Sequence, residues 1–147
     1  MLINFSTGIK MADIFNEEKR SYVMSRIKSK DTKPEMIVRK YLHRQVFRYR
    51  LYNACLPGKP DLVLRKYKTC IFINGCFWHW HKHCKSGTRL PETRREWWKE
   101  KLAKNRKRDL RNITELLDLN WNVITVWECE LKKKKREETL DLSLIHI

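Results

Sequence analysis

Nine consecutive residues, Cys76-Phe77-Trp78-His79-Trp80-His81-Lys82-His83-Cys84, hold two thiols and three imidazoles. Four nitrogen and sulfur ligands make a closed tetrahedral zinc site, and a filled shell leaves no position for water, so zinc bound here is expected to be structural. Cys76, Cys84 and Cys129 are the expected thiolates, Cys129 because it follows an apolar strand that could return to the same place. His81 is the expected fourth ligand, with His83 its rival. A pair of core cysteines with surface histidines is the plainer reading, but packing alone explains three histidines between two cysteines poorly. Cys55 and Cys70 read as buried apolar residues.

A second constellation is made of carboxylates and one histidine. Asp61 follows Pro60 at the start of an apolar run, and the next such run ends at Asn74-Gly75 beside the histidine cluster. Hydrolysis of a phosphodiester needs oxygen ligands for magnesium, a group that handles the proton of the attacking water, and cations near the phosphate. Asp61 could supply the first and His79 the second. Glu35 could add a third group, although Thr32-x-x-Glu35 also fits a helix capping box. Asp109, in Arg106-Lys107-Arg108-Asp109, fits an ordinary surface ion pair on spacing alone. The plainer alternative for Asp61 is a turn aspartate after proline, and for His79 a zinc ligand in place of His81.

The elements that would position these groups follow from periodicity. Residues 16–29 read as a surface helix capped by Asn16, with Val23, Met24 and Ile27 among basic residues. A second helix is expected after Thr32, with Pro34 in its first turn and Ile37, Val38, Tyr41 and Leu42 facing inward. Short strands are expected at 47–51, 61–64 and 69–74, the last two as a hairpin, then a long basic helix over 93–119 and a buried strand over 121–127. The order α-α-β-β-β-α-β implies an α/β fold with a central mixed sheet and helices on its faces.

The 147 residues suffice for one domain with one core. Thirty-three Lys and Arg against seventeen Asp and Glu give a net charge of +16, which favours a polyanionic partner, nucleic acid first. No apolar run approaches the roughly 18 residues of a spanning helix, so a membrane partner is not expected. Between Arg89 and Arg111 stand ten Lys or Arg and four acidic residues, a face suited to phosphate contacts. Five cysteines, an odd number without a secretory leader, point to a reducing, cytoplasmic setting rather than a disulfide framework. Residues 1–11 are expected to be an extension, with Met11 an alternative start. Residues 132–147 are expected to form a basic tail, flexible and DNA-binding at 132–136, and its abrupt end is compatible with truncation.

Pro57-Gly58-Lys59-Pro60-Asp61 followed by Ile71-Phe72-Ile73-Asn74-Gly75-Cys76-Phe77-Trp78-His79 resembles the very short patch repair (Vsr) endonucleases. Agreement extends to Met24-Ser25-Arg26-Ile27, Asp31-Thr32 with Glu35, residues 98–109, and Val126-Trp127-Glu128-Cys129, covering residues 12–131. The resemblance implies a restriction-endonuclease-like fold and a bacterial, nucleoid-associated enzyme that nicks DNA 5′ of the thymine in T:G mismatches left by deamination of 5-methylcytosine. It further implies that Asp61 and the main-chain carbonyl of Ile73 bind Mg²⁺; a threonine stands at that position in the family, a change a carbonyl ligand tolerates. His79, Glu35 and Asp109 match catalytic and supporting residues. Phe77 and Trp78 match aromatics that wedge into the base stack, with Met24 entering from the other groove. The zinc ligands carry across as Cys76, His81, Cys84 and Cys129, although one extra residue between Cys76 and Cys84 leaves the His81/His83 choice open.

The expected partner is therefore double-stranded DNA with a T:G mismatch, handled by a monomer, with mismatch-repair proteins as candidate associates. A restriction-type nuclease on matched duplex and a non-catalytic, zinc-stabilised DNA-binding module are the alternatives.

Overall fold

Four runs rich in Val, Ile, Leu and Thr form one sheet: β1 (Arg50–Leu51), β2 (Leu62–Leu64), β3 (Thr69–Asn74) and β4 (Asn122–Trp127), in that spatial order. β1 and β2 pair antiparallel, as do β2 and β3, whereas β3 and β4 run parallel. The expected hairpin is thus present, and it turns through Lys68 in the left-handed region. The computed structural model describes residues 16–145 and 147, so the expected extension at 1–11 and the start at Met11 lie outside the described residues.

The helices are α1 (Glu17–Ser25), α2 (Lys33–Arg44), α3 (Lys85–Thr88), α4 (Arg95–Asp118) and α5 (Arg136–Ile145). Strand alternation divides the core. Leu62, Leu64, Ile71, Ile73 and Val126 face Val38 and Leu42 of α2 and Leu140 of α5, while Val63 and Cys70 face Leu116 of α4. A helix layer therefore covers each sheet face. Fully burying such side chains contributes about 1.5–3 kcal/mol each, so β2 and β3, which are buried on both faces, anchor everything attached to their ends.

Several boundaries differ from expectation, each for a local reason. α1 stops at Ser25, whose hydroxyl donates back to the Tyr22 carbonyl (2.7 Å). The chain leaves α2 through Val46 at φ 65°, so Phe47 packs edge-on against Tyr67 instead of pairing, and β1 shrinks to two residues. The long helix starts at Arg95 because Arg94 is left-handed. β4 is an edge strand with only Val126 fully buried, not a buried strand throughout. Cys70 is buried but Cys55 is exposed, which corrects the expectation for Cys55. The expected basic tail is also corrected: beyond a turn at Lys132–Lys135 the chain forms α5, whose Leu140 is 3% exposed in the main core. No helix among the described residues is long and apolar enough to cross a membrane.

Candidate active site and metal centre

The parallel pair β3/β4 explains why distant residues meet. Asn74 and Trp127 are register partners at the C-terminal ends of these strands, and Cys76 and Cys129 each lie two residues further on. The loop after β3 then brings His81 and Cys84 back. The ligand atoms of Cys76, His81, Cys84 and Cys129 all lie within 4.8 Å of one another. A tetrahedral zinc shell with bonds near 2.3 Å needs ligand atoms roughly 3.8 Å apart, so the set fits zinc after small side-chain adjustment.

Each ligand is held from outside the cluster. The His81 ring stacks on Trp127 (centroids 4.1 Å apart, planes at 5°), and its Nδ1 lies 3.4 Å from Cys129 Sγ. Cys84 caps α3, accepting from the Gly87 N–H at 3.4 Å. A side chain at Gly87 would put its Cβ 2.1 Å from the His81 carbonyl oxygen, so glycine is required for this close approach. Burial pushes the Cys76 thiol up to about 12 and raises Cys129, while the hydrogen bonds around Cys84 outweigh its burial and lower it. His83 is exposed outside this group, its ring centred 5.7 Å from that of His81. Between the two histidines left open by spacing, the geometry gathers His81.

On the other side of the same loop lies a cleft of about 510 Å³, lined by Glu35, Lys59, Asp61, Ile73, Asn74 and His79 among others. Asp61 stands immediately before β2, and its Oδ2 accepts the Ile73 N–H at 2.7 Å. A residue in an extended strand directs its N–H and C=O to the same edge, so the Ile73 carbonyl is directed to the side of Asp61. Burial drives the Asp61 carboxyl up to about 6, with the Ile73 bond opposing and the neighbouring Glu35 charge adding to the rise. A half-buried carboxylate beside a carbonyl, with its charge this poorly compensated, fits a hard divalent cation.

His79 Nδ1 lies 2.6 Å from Asp109 Oδ2, which projects from the middle of α4. Burial would raise the Asp109 carboxyl, but the bonds to His79 and Arg108 outweigh it and lower the group. An ionised carboxylate only accepts hydrogen bonds, so Nδ1 carries a proton, and in the neutral ring Nε2 is then an acceptor. Asp109 also makes the plain ion pair expected from spacing, to Arg108 at 3.2 Å, through its other oxygen. The same carboxylate thus makes the ion pair expected from spacing and a contact to His79.

Substituting Asp109 by Asn is expected to lower single-turnover DNA cleavage about 10²- to 10³-fold, because the carboxamide can offer Nδ1 an N–H and hold the wrong tautomer. DNA affinity, read by anisotropy, should change little. The lowered Asp109 carboxyl contributes stability above its ordinary range, and that contribution is lost as pH falls through its folded value.

Glu35 is 3% exposed and serves as more than a cap. Thr32 Oγ1 accepts from the Glu35 N–H (3.4 Å), which caps the helix, and donates to Glu35 Oε1 (2.9 Å), while Glu35 Oε2 also pairs with Arg39 Nη2 at 2.9 Å. Asn74, buried at 8% exposure, lines the cleft between Asp61 and His79 and was not singled out from sequence as a site residue.

Phe77 and Trp78 are half-buried and pack against each other and against Trp98 at the start of α4, with centroids 5.1, 5.3 and 6.0 Å apart. Sequence reasoning treated Trp98 only as part of a basic helix; the spacing of that helix gave no sign that it meets the loop. Asn105 of α4 fixes the loop by donating to the Trp78 carbonyl (3.1 Å). Met24, 40% exposed on α1, lines a groove with Trp97 and Trp98, where Arg94 and Lys101 lie 4.8 and 4.7 Å from the Trp97 ring. The expected zinc set, the expected carboxylate and histidine set, and the expected aromatics thus occupy three contiguous sites.

Comparison with known proteins agrees with this arrangement. The profile of the family described as DNA mismatch endonuclease Vsr matches residues 12–86. A type II nicking enzyme, V.NmeAIP, from Neisseria meningitidis serogroup A is 53% identical over 124 residues, covering 84% of this chain and 87% of its own. The DNA mismatch endonuclease Vsr of Escherichia coli K12 is 42% identical over 126 residues, covering 86% of this chain and 80% of its own. Among solved structures, the catalytic domain of the homing endonuclease I-Bth0305I superposes with a TM-score of 0.50 at 20% identity, covering 80% of this chain and 99% of that domain. That likeness identifies the restriction-endonuclease-like nuclease fold.

Proposed function

The chain belongs to the Vsr endonuclease family and is a DNA endonuclease, and from that premise we propose that it nicks duplex DNA 5′ of the thymine in T:G mismatches by Mg²⁺-dependent hydrolysis. The observation that carries the reading is the adjacency, along one loop, of the Asp61/His79–Asp109 cleft and the Phe77/Trp78/Trp98 cluster. A base-stack wedge beside a hydrolytic centre suits an enzyme that must find a weakly paired step and cut next to it.

In this reading Asp61 and the Ile73 carbonyl hold a magnesium ion, which supplies Lewis-acid activation of the scissile phosphate when bound. His79 Nε2 takes the proton of the attacking water, while Asp109 holds the ring and stabilises the imidazolium that forms. Glu35 accepts a hydrogen bond from water in the cleft. Phe77 and Trp78 unstack the mismatched step, at a cost of a few kcal/mol that a T:G pair lowers, and Met24 contacts the duplex from α1. The basic face of α4, with Arg106, Lys107, Arg108 and Arg111, contacts phosphates and adds affinity without sequence information. The Cys76/His81/Cys84/Cys129 set holds a structural zinc ion that pins the loop carrying both His79 and the wedge. One nick needs one such site, so a monomer suffices.

With Mg²⁺ and end-labelled duplexes, a T:G substrate is expected to be nicked on the thymine strand at least about a hundredfold faster than its T:A counterpart. Equal cutting of both would support the restriction-type alternative, and tight binding without cutting the zinc-stabilised DNA-binding module.

A further inference from the structure

Glu35 sits in a bracket that its capping role does not require. A cap needs only Thr32 and Glu35. Here Glu35 Oε2 also accepts from Tyr52 Oη (2.6 Å), from Arg39 Nη2 (2.9 Å) and from the Asp31 N–H (3.1 Å). Arg39 Nη2 in turn donates to Tyr52 Oη at 2.5 Å, and Arg39 Nη1 pairs with Asp31 Oδ1 at 2.6 Å. A carboxylate oxygen offers about two lone pairs, so three donors exhaust Oε2. Oε1, by contrast, accepts only from Thr32 among the described residues.

The bracket is also built at the expense of local stability. Tyr52 and Asp31 are non-glycine residues at φ 47° and 53°, a left-handed conformation that is kept where the surroundings enforce it. Arg39 buries its Nε without a partner, an arrangement that a network serving only stability would avoid. The strained Tyr52 has a specific geometric result. Its backbone N–H donates to the Asp61 carbonyl (3.3 Å) while its phenol reaches Glu35, so one residue ties the carboxylate of α2 to the chain segment that carries Asp61. The Arg39 guanidinium lies 5.4 Å from the Tyr52 ring centre, which fixes the ring as well.

We propose that Arg39 and Tyr52 are positioning residues for Glu35: they commit Oε2 to the fold and register Glu35 against Asp61, so that Oε1 is the oxygen presented to water in the cleft. The inference rests on the reading of Glu35 as part of the hydrolytic machinery. Tyr52 and Arg39 are not among the residues that line the cleft and act through Glu35.

The test is single-turnover cleavage of the T:G duplex at saturating enzyme in Mg²⁺, with DNA affinity measured without Mg²⁺ or chelator and folding by thermal melting. Tyr52→Phe keeps the ring and removes the hydroxyl that donates to Glu35 and accepts from Arg39 and the Asp31 N–H. It is expected to slow cleavage about five- to twentyfold, with DNA affinity unchanged and the melting temperature lowered by only a few degrees, so that the protein stays folded at the assay temperature. Arg39→Lys, which keeps the charge but not the fork, should retain more activity than Arg39→Met. Glu35→Gln should be slower still, and adding Tyr52→Phe to it should cost nothing further, because the two residues act as one unit. Losses that multiply in the double variant would show Tyr52 acting elsewhere and overturn the proposal. A fully active Tyr52→Phe beside an inactive Glu35→Gln would overturn it while leaving the role of Glu35 intact. A Glu35→Gln enzyme that cuts like wild type would instead overturn the reading of Glu35 and the proposal with it.

Discussion

Asp61→Asn is expected to abolish DNA cleavage, by on the order of a thousandfold or more, while making the magnesium-free protein more stable. Both effects have one cause. In the folded chain burial lifts the Asp61 carboxyl from 3.8 to about 6. The folded state therefore binds more protons than the unfolded state between these values, and stability falls as pH rises through them. The favourable contribution is complete below the unfolded value and gone above about 6, so at neutral pH the ionised group opposes folding by about 1–3 kcal/mol. Asparagine keeps the shape and can still accept the Ile73 N–H at its carbonyl oxygen, but it carries no charge to be desolvated. Melting at pH 7.5 without added Mg²⁺ or chelator, so that zinc stays bound, should place Asp61→Asn several degrees above wild type. Magnesium should raise the wild-type melting temperature and not that of the variant. A variant that is inactive but less stable without Mg²⁺ would mean that Asp61 is a structural turn residue, the plainer reading of its position after Pro60.

Loss of any of the proposed zinc ligands is expected to be the most damaging change to the fold. Structural zinc sites contribute apparent binding free energies of about 10–16 kcal/mol, comparable with or above the roughly 5–15 kcal/mol of a whole domain. Cys76 and Cys129 follow the parallel strands β3 and β4, and the loop that they anchor contains His79, Phe77 and Trp78. Cys84→Ser, Cys129→Ser or His81→Ala should therefore lose bound zinc and either fail to fold or melt at least about 10 °C lower. His83→Ala and Cys55→Ser should keep one zinc per chain by elemental analysis. The Gly87 contact adds a sharper case: Gly87→Ala has no metal ligand removed, yet its Cβ has no room beside the His81 carbonyl. Zinc retained in His81→Ala and lost in His83→Ala would reverse the choice of ligand.

Much of this arrangement was legible in the chain because it depends on local pattern. The β2–β3 hairpin and β4 follow from apolar runs, Asn16 and Thr32 cap the helices where their side chains allow, and the Cys76–Cys84 segment is too rich in ligands for packing to explain. Long-range placement was less accessible. Spacing could not choose between His81 and His83; the stack on Trp127, from a different strand, orients His81. Trp98 and Asn105 meet the loop only because α4 crosses beside it. The Arg39–Tyr52–Glu35 bracket depends on a left-handed tyrosine, which no periodicity marks. The C-terminal helix was obscured by the Lys132–Lys135 run, which reads as a tail until Leu140 is seen in the core.

The most direct test of the central claim is to map the cut itself. Duplexes carrying a single T:G pair, labelled on one strand or the other, would be incubated with the enzyme in Mg²⁺ and in EDTA and resolved at single-nucleotide resolution beside the T:A control. The predicted result is one break, on the thymine strand immediately 5′ of the mispaired thymine, dependent on Mg²⁺ and absent with Asp61→Asn. Breaks in both strands, or the same cutting of the T:A duplex, would contradict it.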